Sequence, residues 1–95
     1  MIFEEEFKFL NIQKLNKRET EGLSDDEKYF LIISVLDKEN FPCKFYSFDK
    51  DLNKSLLLNS QNGVIKGLQD CLIKFSLNFN NNNWSVKLED ILFDY

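Results

Sequence analysis

The sequence predicts a mainly β protein, with an α+β arrangement as the near alternative: one five-stranded barrel carrying a short helix between its third and fourth strands. Three observations lead there. Apolar and polar residues alternate along 71–79 and again along 84–88, on either side of four consecutive asparagines. Residues 28–36 are almost all aromatic, β-branched or leucine, a composition that suits a strand. A chain of 95 residues has room for one core, and its 43% hydrophobic content, with ten phenylalanines, is enough to fill it and to set the chain apart from a disordered tail. One domain over residues 1–95 is the expectation.

Taken in order, the first strand is expected over residues 7–20, and the charged run 21–27 reads as an exposed loop. Ser24 and Glu27 have the spacing of a helix capping box, so a buried helix competes with the strand over 28–36. The strand is preferred, packed on both faces, because turn chemistry at 37–42 and a returning stretch at 43–48 make it half of a hairpin. Asp49 or Asp51 can cap a short helix whose Leu52, Leu56 and Asn59 fall at helical spacing. Asn62 with Gly63, and then Gly67, end it. In the closing hairpin Cys71, Ile73, Phe75, Leu77 and Phe79 share one face, and Trp84, Val86 and Leu88 face the same interior from the return strand. Asparagine tolerates the left-handed backbone that a tight tip needs. Three strands, a helix and two strands is the order of the OB-fold, a partly open Greek-key barrel.

From "EKYFLIISVLDKENFPCKFYSFDKDL" through "CLIKFSLNFNNNNWSVKLEDI" the chain resembles small OB-like, single-strand-binding-type proteins of phages, plasmids and conjugative elements of low-GC bacteria. The resemblance lies in pattern rather than in a diagnostic motif. It implies an OB-like barrel that binds single-stranded nucleic acid in the cytoplasm.

The residues themselves narrow the chemistry. There is no histidine, which removes histidine-based nucleophilic pairs and the usual general base near neutral pH. Glycines at 22, 63 and 67 match no phosphate-binding loop. Asp49, Asp51 and Asn53 begin like a calcium loop, but Lys54 replaces the required glycine and Ser60 the bidentate glutamate. Glu89 with Asp90 reads as a strand end. Cys43 and Cys71 are too few for a zinc site and read as buried free thiols of a reducing compartment. No catalytic residue, cofactor or metal is therefore expected. The glutamates of the first ten residues do not make a secretory signal, and no apolar run is long enough to span a bilayer, so a soluble, cytoplasmic protein without a membrane partner is expected.

Binding of single strands needs exposed rings for stacking and cations for phosphates. The candidates are Tyr46, Lys44, Tyr29, Phe48, Trp84, Lys74 and Lys87, with Lys14, Lys17, Arg18 and Lys28 as further charges. Tyr46, beside Lys44 on one strand face, is the strongest. Trp84 has two readings, a stacking ring or a core ring, and a small domain's need for core aromatics favours the second. The net charge of −4 repels phosphate on average, and eight of the 16 acidic residues lie in the first 27 positions. Such a surface would also suit a basic protein partner, for example a host nuclease or defence protein to be inhibited.

Overall fold

The computed structural model describes residues 1–93. Five strands, β1 (Ile2–Asn16), β2 (Tyr29–Leu36), β3 (Pro42–Ser47), β4 (Asp70–Asn80) and β5 (Asn83–Phe93), close into a barrel in the order β1-β2-β3-β5-β4. Helix α1 (Lys50–Gln61) lies between β3 and β4. All pairings are antiparallel except β3 with β5, which run parallel and meet at Tyr46 and Lys87. This is the OB-like barrel that the order of elements predicts.

Closure depends on β1 serving two neighbours. Residues 2–8 pair with β4 and residues 8–16 with β2, and the register shifts between Phe9 and Asn11. A bulge of this kind bends a strand and lets it turn the corner of a barrel. The strand starts at Ile2, earlier than residue 7, because Phe3 and Phe7 keep the inward alternation going through the glutamates. Phe3 stacks on Phe75 at 5.5 Å between ring centroids, and Phe7 meets Phe45 edge-on at 5.3 Å.

The interior is filled by alternate residues of every strand. Leu31, Ile33 and Val35 of β2 are fully buried, as is Ile73 of β4, and Phe7, Phe9, Phe45, Leu88 and Ile91 close around them. Leu56 from α1 and Ile65 from the following loop complete this cluster. The helix is set by Asp49, whose carboxylate accepts from the Leu52 backbone N–H at 2.9 Å and satisfies an otherwise orphaned donor. The stretch that begins like a calcium loop is thus a capped helix start. Two fully buried polar side chains tie the helix to β3: Asn53 Nδ2 donates to the Ser47 carbonyl at 3.1 Å, and Ser47 Oγ donates to Asn53 Oδ1 at 2.5 Å. Phe48 lies between these anchor points in the chain.

The capping-box spacing at Ser24 starts no helix over 28–36, and the Ser24 side chain caps no backbone N–H. Ser24 Oγ donates to Glu27 Oε1 at 2.7 Å, and the segment forms a single 3-10 turn, Asp25–Glu27, before β2 begins at Tyr29. Strand pairing on both sides of β2 decides the competition against a longer helix. Both cysteines are free. Burial pushes the Cys71 thiol up to about 11, with Asp70 adding to it, and burial also raises Cys43.

Beyond the barrel the last hairpin continues as an arm. β1 follows β4 only as far as Ser76, and β3 touches β5 at Lys87, so residues 77–86 pair only with one another. Asn81 and Asn82, at φ 52° and 63°, form a two-residue tip with both residues left-handed, the geometry that matches strand twist. The radius of gyration, 13.5 Å, exceeds the roughly 12.4 Å of a compact chain of this length, consistent with a projecting element. No helix among the described residues is long and apolar enough to cross a membrane.

Candidate functional site

Strand registers define what the outside of the barrel presents. Residues directly paired across a ladder share a face. Ile32 pairs with Gln13 on one side and Tyr46 on the other, Ser34 with Asn11 and Lys44, and Tyr46 with Lys87. Since Leu31, Ile33 and Val35 point inward, these residues all point outward, together with Phe30 opposite Leu15. One continuous outer face over β1, β2, β3 and β5 therefore carries Phe30, Lys44, Tyr46 and Lys87 around Ile32, which is itself only 9% exposed, and Phe48 continues the β3 alternation.

Three rings cluster on this face. Phe30 lies 6.3 Å from Tyr46 and 5.5 Å from Phe48, and Tyr46 lies 6.5 Å from Phe48 with the ring planes only 10° apart. Phe48 is exposed, and Phe30 and Tyr46 are half-buried. The face has its own pre-formed aromatic surface, separate from the core. Lys44 and Lys87 flank it and make no ion pair among the described residues, so their charge is available.

The acids of the 3-10 turn that leads into β2 have local partners. Asp25 pairs with Lys28 at 3.3 Å and Asp26 with Lys54 at 3.0 Å. The Ser24 hydroxyl and backbone hold the Glu27 carboxyl below its ordinary value, with Lys50 and Lys17 contributing from a distance. Asp26 in turn holds the Lys54 ammonium above its usual value. The carboxylates of the 3-10 turn are thereby drawn into local contacts.

Of the seven residues singled out from the sequence, Lys44, Tyr46, Phe48 and Lys87 come together here. Tyr29 does not: it alternates with Phe30, points inward and is 7% exposed, with Lys14 Nζ 4.4 Å from its ring centroid. Lys74 lies on the outer side of β4 but is drawn to Glu4, 3.7 Å away, rather than to Lys87. Trp84 is 70% exposed and so is not a core ring, and it stands on the arm, on the side of β5 opposite Lys87. Its partner is Phe79, directly across the ladder at 5.0 Å.

Sequence reasoning missed Phe30. The dense apolar run 28–36 hides its alternation, and only the full burial of Leu31, Ile33 and Val35 shows that Phe30 and Ile32 belong to the other face.

Elsewhere a recess at the start of β1 and the β2–β3 turn is lined by Glu4, Glu5, Glu6, Asp37, Lys38, Glu39 and Leu72. Among the described residues no three His, Cys, Asp or Glu side chains gather to hold a metal ion. Comparison with protein families, with curated proteins and with solved structures returns no match for this chain.

Proposed function

We propose that the protein is a non-catalytic module that binds single-stranded nucleic acid on the outer face of β2 and β3. The observation that carries this reading is the Phe30–Tyr46–Phe48 cluster placed outside a barrel whose interior is already full. Rings that are not needed for the core offer bases a stacking platform, at about 1–3 kcal/mol per base. Lys44 and Lys87 meet the phosphates on either side. The resemblance to single-strand-binding-type proteins of mobile genetic elements supports the same reading and a cytoplasmic setting.

The test is a titration of a labelled oligothymidine at rising salt. With two lysines contributing, the affinity should fall with a slope of about −1.4 in log K against log salt. A second reading, an acidic module for a basic protein partner, rests on the recess of Glu4, Glu5, Glu6, Asp37 and Glu39. A well-folded sample that fails to bind the oligonucleotide at low salt favours that reading instead.

A further inference from the structure

The arm takes no part in the outer aromatic face and has a chemistry of its own. One side of it carries Leu77, Phe79, Trp84 and Val86, and of these Leu77, Phe79 and Trp84 are exposed, at 44%, 54% and 70%. In a chain with 29% charged residues, the run from Phe75 to Val86 has none. Neither lysine nor proline guards its edges, the usual means of keeping a strand from pairing with another chain.

We propose that this arm is a self-association surface, on which two copies of the chain pack apolar side to apolar side about a two-fold axis. Charge selects the occupant. Two copies at −4 each repel one another on average, and the neutral arm is where they can meet without placing like charges together. A nucleic acid or a charged protein would find no counter-charge on it. A two-fold axis sets Phe79 and Trp84 of one copy against the same pair of the other, a self-complementary contact.

The area fixes the strength. With aromatic side chains of about 150–250 Å² each, the exposed parts of Trp84, Phe79 and Leu77 in two copies amount to roughly 700 Å². That is about three fifths of the approximately 1,200 Å² where stable interfaces begin, so the dimer is weak and governed by concentration. Lys87 projects from the other side of β5 and Tyr46 from the same outer face of β3, which leaves the outer aromatic face open on both copies.

The full chain is followed by sedimentation from micromolar to millimolar concentration, at low and high salt. The mass should rise from 11.3 kDa toward twice that value. High salt should favour the rise by screening repulsion, the opposite of its effect on oligonucleotide binding. Trp84 is the only tryptophan, so its emission should shift to the blue in step with the mass. Phe79→Lys, and separately Leu77→Lys, should each weaken association at least tenfold while circular dichroism stays that of the parent. A monomer with unshifted emission at millimolar concentration and high salt overturns the proposal, as do assemblies that grow beyond two copies or a dimer that survives both substitutions. Emission that responds to oligothymidine but not to protein concentration overturns it as well, by making the arm a nucleic-acid surface.

Discussion

Tyr46 and Trp84 both offer an aromatic ring to solvent, but their supports differ. Tyr46 belongs to a strand paired on both sides, with Ile32 next to it on β2 and Lys87 on β5, and two further rings pack beside its own. Trp84 stands on a two-stranded ribbon and touches one ring, Phe79. A ring held by a closed barrel is pre-organised, so little side-chain freedom is lost when a ligand stacks on it. A ring on a bare ribbon gains more from being covered, because an isolated two-stranded hairpin is marginal in water. The same residue types thus serve as a platform in one place and as an adhesive surface in the other.

The largest effect should separate barrel from arm. Ile33→Ala, in the fully buried layer, should cost about 2–5 kcal/mol in denaturant unfolding, whereas Trp84→Ala should stay within about 0.5 kcal/mol. Equal costs would make the arm part of the core and erase the distinction. A somewhat smaller effect comes from Cys71, buried in the same interior. Its thiol ionises near 9 when unfolded and at about 11 when folded, so the unfolded state loses its proton first. Stability is therefore intact below pH 9 and declines between pH 9 and 11, by on the order of 2–3 kcal/mol. Cys71→Ala should lower stability at neutral pH yet flatten that decline. Smaller again, Tyr46→Ala and Phe30→Ala should each weaken oligothymidine binding by about 1–3 kcal/mol while the fold persists. If Trp84→Ala weakens it more than either, the platform is on the arm.

Much of the architecture was legible because its causes are local. The alternation at 71–79 and 84–88 located both strands of the hairpin, the asparagines located its tip, and Asp49 capped the helix as its position suggested. The Ser24–Glu27 spacing pointed to a helix that does not form: the segment is a single 3-10 turn without a side-chain cap bond from Ser24, and strand pairing claims the residues after it. What alternation does not reveal is what lies against the face it defines. Leu77, Phe79 and Trp84 follow the core pattern in register and yet stand past the end of β1 and beyond the single pairing of β5 with β3, and all three are exposed. Length mismatch between paired strands is a tertiary property. Tyr29 and Phe30 exchange roles for a related reason, since adjacent residues of an apolar strand differ only in which side of the sheet becomes the interior. The early start of β1 was hidden by Glu4, Glu5 and Glu6, residues poor in strand propensity that are held by their β4 partners.

Binding of single strands on the outer face of β2 and β3, as proposed, can be located residue by residue by amide shift mapping. On adding oligothymidine to the isotopically labelled chain at low salt, the largest changes should fall on Phe30, Ile32, Lys44, Tyr46, Phe48 and Lys87, with the arm tip unmoved. Changes confined to the arm or to the recess around Glu4, Glu5 and Glu6, or no changes at all, would contradict it.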